Sequence, residues 1–417
     1  MRGRLLRQVG VLVLGSGVAQ AIALACSPLV TRLYSPADYA VITVFVALTG
    51  VLLPFACGKY EVAIVVAGTD RHASALTALS FVVATIGALA VLVPVVVMWD
   101  EINELLGCTE LGRWVIAVPV MVLLGAYAMV GRYVATRRSA YRLISQYLSG
   151  QAAVSVALNL LLGYLGMGAN GLLLTNVTSV VLGTGWLLLS LRDDMSLALR
   201  EGLPAIKHVA HKYRDFPIFN ATSTVLDAVT LAMPVFFIAQ LCDADSVGHY
   251  GFLMRVVQAP VALVSGAVTQ VHFKHVADLV RSRDPVRPYL LRVTGILAAL
   301  AIAPTVVAML WSPALFAWAF GVRWQPAGEY LGILMPSLAL QFLVSALSPT
   351  CGATGNNRIA AIWRVLSFAL TLAMFVLVAP GLDMRHIMWC LAITNVALYA
   401  AYYAAIWWAA GHPQEGP

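Results

Sequence analysis

The chain has 417 residues, of which 61% are hydrophobic and only 11% charged, so its polar surface is too scarce to coat a water-soluble globule of this length. The formal net charge of +7 is spread over short segments between apolar runs, which points to membrane topology and excludes a single nucleic-acid-binding patch.

The opening segment carries Arg2, Arg4 and Arg7 ahead of an apolar run, and Ala23-Leu24-Ala25-Cys26 has the look of a lipoprotein cleavage site. The run continues to Thr31, however, and Ala23 stands where such a site calls for a bulky aliphatic residue. Residues 9–31 are therefore read as a first membrane crossing. Further apolar runs long enough to cross a hydrocarbon core of about 30 Å occupy residues 40–58, 73–99, 114–136, 143–165, 170–191, 219–241, 247–273, 290–311, 327–347, 359–378 and 387–408, giving twelve crossings. Helices are required, because an open strand edge in lipid would leave backbone groups without partners, and the alternating polarity of a barrel is absent.

Positive charge is retained on the cytoplasmic side. With the N-terminus inside, twenty Lys and Arg fall on that side and four (Arg32, Arg113, Arg323, Arg385) on the other. The expected setting is the bacterial inner membrane with both termini cytoplasmic. The longest polar connection, residues 192–217, divides an N-terminal six-helix lobe (1–191) from a C-terminal one (218–417), as in a duplicated transporter. Pro28 and Pro234 hold similar places in crossings one and seven, and Asp38-Tyr39-Ala40 and Ser246-Val247-Gly248 each open the following crossing. The six cysteines show no metal spacing. Only Cys108 and Cys242 fall in outer connections, where a disulfide between them is an open alternative.

A charge at mid-bilayer costs about 3 kcal/mol on insertion scales, so polar residues inside crossings normally face a cavity or another helix. Asp227 lies on a polar face of crossing seven with Asn220, Ser223, Thr224 and Thr230. It is the ion-coupling candidate, for a proton or sodium, and the plainer reading makes it a partner of Arg255. Arg255 and Gln258 sit within crossing eight, and arginine suits phosphate because its planar fork makes paired charged hydrogen bonds. Lys59 and Arg132 lie near cytoplasmic helix ends, where snorkelling accounts for each taken alone. Arg32 closes crossing one, either as a cavity residue or as a cation at a helix C-terminus. Stripes at helical spacing run through Gln151, Ser155 and Asn159, then Ser337, Gln341 and Ser345, then Asn395, Tyr399, Tyr402 and Tyr403. Singly they read as helix packing; together they fit a hydrated cavity whose amides and tyrosines hydrogen-bond sugars. The motifs of known catalytic chemistries and of ATPases are absent, and the sequons at Asn176 and Asn220 fall inside crossings.

Several segments carry a resemblance. Pro28 with Arg32-Leu33-Tyr34-Ser35-Pro36-Ala37-Asp38-Tyr39, and then Tyr60-Glu61-Val62-Ala63-Ile64, are followed in the second half by Tyr213-Arg214-Asp215-Phe216-Pro217. Gly248-His249-Tyr250-Gly251-Phe252 and Arg255-Val256-Val257-Gln258-Ala259-Pro260 complete the set. The chain resembles the oligosaccharide flippases of polysaccharide biosynthesis in the multidrug/oligosaccharidyl-lipid/polysaccharide exporter superfamily. The resemblance implies an all-α polytopic protein of two pseudo-symmetric six-helix lobes around a V-shaped cavity. It would move undecaprenyl-diphosphate-linked repeat units to the periplasmic leaflet by alternating access, for O-antigen, capsule or exopolysaccharide. No cofactor is expected. The partners it implies are the lipid-linked glycan, membrane lipid, a glycan polymerase and a chain-length regulator. Arg32, Tyr60, Glu61, Arg255 and Gln258 match the family's motifs, whereas Ala40 and Asp227 depart from them. Lys59, Arg132, Gln341 and Asn395 join them as diphosphate- or glycan-binding candidates. The rivals are a cation-coupled drug or metabolite antiporter, a membrane glycan polymerase or ligase, and a scaffold.

Overall fold

The computed structural model describes the backbone of residues 2–414 and the side chains of residues 17–414 except 218–220, 259, 262, 263 and 267. The described elements are all helical. By packing, the chain forms two compact units, Met1–Gln240 and Leu241–Pro417.

The first unit opens with α1 (Arg2–Leu33), which runs through Pro28. It is followed by α2 (Pro36–Cys57), whose start is written in the sequence. The Ser35 hydroxyl accepts from the Asp38 amide at 3.1 Å and the Asp38 carboxylate accepts from the Ser35 amide at 2.8 Å, a reciprocal cap with Pro36 in the first turn. Gly58 and Lys59 then take left-handed conformations with φ of 59° and 61°, reversing the chain into α3 (Tyr60–Val66). α4 (Asp70–Val97) is capped by Thr69, and α5 (Trp99–Leu105) with a 3₁₀ segment at Thr109–Ala117 leads to α6 (Val118–Arg137). α7 (Tyr141–Tyr164) and α8 (Gly168–Ser190) follow. α7 lies along α1, and Gly163 makes this approach feasible: a Cβ there would come within 2.8 Å of the Tyr34 ring. The phenol of Tyr34 donates to the Asn159 carbonyl at 2.9 Å.

The expected connection at 192–217 contains two short helices, α9 (Arg192–Leu199) and α10 (Leu203–Lys212). α10 turns Ala205, Ile206, Val209 and Ala210 onto a core that includes Ala73, Leu76, Val134 and Tyr147. A π-turn at Phe216–Ala221 passes into α11 (Thr222–Leu241), whose far end is tied to the first unit where the Gln240 amide donates to the Leu105 carbonyl.

The second unit begins with α12 (Ala244–Ser282), capped by Asp243, which accepts from the Ser246 amide at 3.1 Å. α2 and α12, the helices opened by the two similar segments, thus both start on capped turns. α13 (Val286–Phe320) packs along α14 (Gln325–Leu347). α15 (Pro349–Ala353), α16 (Asn357–Ala373) and α17 (Met384–Gly411) complete the unit. Phe252, Phe316, Phe320 and fully buried Trp324 interlock at one end, while Val344, Leu347, Cys351 and Ile406 fill the other.

Outward-facing apolar side chains are abundant, among them Val97, Leu189, Trp318 and Leu377, as expected of helices whose solvent is hydrocarbon. Nine described segments are long and apolar enough to cross a membrane. Of the twelve expected crossings, the other three correspond to α1, α7 and α12. α1 has its first half outside the described side chains, α7 is diluted by Gln146, Gln151 and Asn159, and α12 carries Arg255, Gln258, His249 and His272. At about 1.5 Å per residue, the 24 residues of α7 and the 39 of α12 exceed the hydrocarbon thickness. Among the described residues all six cysteines are free, so no disulfide joins Cys108 to Cys242.

Candidate functional site

The turn between α2 and α3 brings the charged residues of the first unit together. Two successive left-handed residues end α2 abruptly and fold the first turn of α3 back into the unit, so that Glu61 is completely buried (0% side-chain exposure). Neither carboxylate oxygen has a hydrogen-bond partner. The nearest cation is Lys59 with Nζ 4.0 Å away, itself 14% exposed. On α6, partly buried Arg132 also leaves its Nε without a partner. Cys57 and Tyr133 complete the group, each within the field of both Glu61 and Arg132. Burial holds the Glu61 carboxyl above the usual carboxylate range, and its own amide N–H and the Lys59 charge oppose that shift without cancelling it. The arrangement is one carboxyl that can carry a proton and one lysine that loses its counter-charge when it does, with Arg132 acting on the same Cys57 and Tyr133.

Two further contacts fix this turn. The Tyr60 hydroxyl donates to the Ala210 carbonyl at 3.3 Å, joining α3 to α10. Arg137, at the end of α6, donates to the carbonyls of Ile64 (3.0 Å) and Ala67 (2.7 Å) and to the Asp70 carboxylate (2.9 Å). It thereby satisfies the C-terminus of α3 and favours its dipole. Sequence reasoning counted Arg137 only as a topology charge. Partners some seventy positions away leave no local signal.

The structure brings Lys59, Tyr60, Glu61 and Arg132 into one region of the first unit. Arg32 lies exposed in the last turn of α1, and Arg255 and Gln258 lie exposed on α12. Neither arginine has an ion pair or hydrogen bond among the described residues. Asp227 is exposed on α11 and is not isolated. Asn220 lies outside the described side chains. Gln341 and Asn395 are partly buried on α14 and α17. Packing takes up most of the stripes. Ser337 and Ser345 bond back to carbonyls of their own helix, Tyr402 stacks on Trp363 at 4.4 Å, and Tyr403 donates to Thr294 at 3.1 Å. Tyr402 and Tyr403 pack in the core of the second unit. Several motif residues are likewise structural. Ser35 and Asp38 form the α2 cap, and His249 pairs with the Arg323 carbonyl at 2.8 Å beside Trp324.

The fold is that of the multidrug/oligosaccharidyl-lipid/polysaccharide superfamily. An inward-facing multidrug resistance MATE family transporter of that superfamily superposes with a TM-score of 0.72 at 16% identity, over 93% of each chain. Lipid II flippase MurJ, in an inward closed conformation, gives 0.73 at 12% identity, over 95% of this chain and 87% of the other. A superfamily transporter from Pyrococcus furiosus, described as having a binding pocket of reversed polarity, gives 0.61 at 12%, over 96% and 95%. No curated protein matches the sequence. The family model for polysaccharide biosynthesis protein matches residues 29–329, and the chain belongs to that family.

Proposed function

We propose that this protein is a flippase that moves undecaprenyl-diphosphate-linked oligosaccharide repeat units from the cytoplasmic to the periplasmic leaflet of the inner membrane by alternating access, in step with proton movement. What carries the reading is Glu61 in a chain of this family: a buried carboxylate beside Lys59, with Arg132 acting on the same Cys57 and Tyr133, two cations suited to a diphosphate. A glycan headgroup cannot cross hydrocarbon without losing hydrogen bonds that cost several kcal/mol each, and the diphosphate adds charge that needs cationic partners. With Glu61 ionised, Lys59 is engaged internally; with Glu61 protonated, Lys59 is released to an outside anion. Proton and diphosphate therefore act in one direction on the same cation, a form of coupling that requires no cofactor. Arg32 and Arg255, both exposed and with no ion pair or hydrogen bond among the described residues, are the further guanidinium groups assigned to the diphosphate. Gln258, Gln341 and Asn395 are the amides assigned to sugars, and Asp227 is the second ion-coupling candidate. O-antigen, capsule and exopolysaccharide units share this chemistry, and a polymerase and a chain-length regulator are the partners that would consume the product.

The test is transport of a lipid-linked glycan in vesicles reconstituted with the purified protein. Replacing Arg32 and Arg255 together by Gln is expected to abolish leaflet exchange, and unchanged exchange would overturn the assignment. The antiporter reading draws on the multidrug relatives of the fold and on Asp227. Lowered drug resistance in cells lacking the gene, with glycan export intact, would favour it.

A further inference from the structure

The segment joining α8 to α11 has a surface that the transport cycle leaves unexplained. In a polar connection, Leu197, Leu199 and Leu203 are 49%, 83% and 72% exposed. The three sit within seven residues at the junction of α9 and α10, while α10 buries its other apolar residues in the core of the first unit. Exposed leucines in water forfeit about 1.5–3 kcal/mol each relative to burial. α9 begins two residues after the membrane-crossing helix α8 ends at Ser190, which sets these leucines close to the bilayer surface rather than far into water.

Basic groups lie on the same segment and on the start of α4 that packs against α10. The His208 ring stands 5.7 Å from that of His72 in the first turn of α4, and the charges of Lys212 and Arg71 both act on His72. The His72 Nδ1 is buried without a hydrogen-bond partner. Arg200, Lys207 and His211 add exposed positive or titratable groups on the same segment. Of the acids nearby, Asp70 pairs with Arg137 and Asp194 with Arg138, Asp193 lies exposed 3.9 Å from Arg192, and Glu201 and Asp215 lie on the same segment without pairing any of these cations. Among the described residues no carboxylate pairs with Arg71, Arg200, Lys207 or Lys212. Like charges packed together without a counter-ion call for an external anion, and apolar prongs beside them call for that anion to be attached to hydrocarbon.

We infer that the α9–α10 segment is a docking surface for anionic phospholipid in the leaflet on its own side of the membrane. Leu199 and Leu203 enter the acyl boundary, and the cluster of Arg71, His72, His208 and Lys212 receives the headgroup phosphate. This inference does not depend on which substrate is carried, and a failure of glycan transport would leave it standing.

The experiment measures amide hydrogen exchange of the full-length protein in lipid nanodiscs, following residues 199–211. Nanodiscs containing phosphatidylglycerol should slow exchange there by about tenfold relative to phosphatidylcholine alone, the scale expected of a few cations at an anionic surface. His208→Ala with Lys212→Ala should erase the difference, and so should Leu199→Ser with Leu203→Ser, exposed positions whose replacement leaves the core intact. Three results would overturn the proposal. These are equal exchange in the two nanodiscs, which would leave the leucines to a protein partner; full protection by millimolar inorganic phosphate in phosphatidylcholine nanodiscs, which would make it a free-anion site; and protection that survives loss of both leucines.

Discussion

Replacing Glu61 by Gln isolates the central electrostatic claim. Its charged form is attracted to Lys59 at 4.0 Å by about 4 kcal/mol at an effective dielectric of 20. Against this stands the loss of hydration of a fully buried carboxylate, several kcal/mol, which its own amide N–H offsets only in part. Burial outweighs the Lys59 attraction and holds the carboxyl above the usual carboxylate range. A carboxyl that titrates higher in the folded than in the unfolded state makes folding more favourable at low pH. That advantage is lost as pH rises from the unfolded carboxylate range through the folded one. Glu61→Gln should therefore flatten the pH dependence of stability and raise the thermal midpoint of the purified protein at pH 8, with little change at pH 4. An increase of about 1–3 kcal/mol, the cost of leaving a buried polar group unsatisfied, is the expected scale at pH 8. Thermal unfolding followed by tryptophan fluorescence in detergent, from pH 4 to pH 8, measures it, and proton uptake by vesicles on addition of lipid-linked glycan should vanish in the same variant. A variant less stable than the parent at pH 8 would refute the reasoning, since it would mean that Lys59 more than compensates the buried charge.

Other outcomes follow from the same contacts. Arg137→Ala removes three charge-assisted hydrogen bonds and should lower stability by about 2–4 kcal/mol, with partial recovery in Arg137→Lys, as read by denaturation midpoints. Ser35→Ala deletes the cap of α2 and should cost about 1 kcal/mol in the same assay. Arg255→Gln should leave the thermal midpoint unchanged, because no partner among the described residues is lost, while reducing glycan transport in vesicles. Tyr403→Phe should weaken the second unit by about 1 kcal/mol through loss of its bond to Thr294 without changing the transport rate.

Much of this architecture was legible in the sequence because the bilayer imposes a single rule: a long apolar run must be a helix. The cap at Ser35 and Asp38 is equally local in its chemistry, yet in the sequence these residues stood out only as part of a motif. Polar stripes were less informative. A tyrosine at helical spacing looks the same in sequence whether it faces a cavity or stacks on a neighbour, and only the position of Trp363 on another helix decides the matter for Tyr402. Lys59, Glu61 and Arg132 were chosen from motif or from depth, but the burial of Glu61 comes from two consecutive left-handed residues, one of them a lysine that no propensity would place there. Arg137 was missed because its partners are distant in the chain.

The phenol of Tyr60 holds the backbone of α10 one residue before the acid it seats. A lipid that pulls on the connecting segment thus tugs the same short helix that carries the protonatable group. By thermodynamic reciprocity, if bilayer composition alters how tightly that proton is held, then acidity must alter, to the same degree, how firmly the segment grips the membrane.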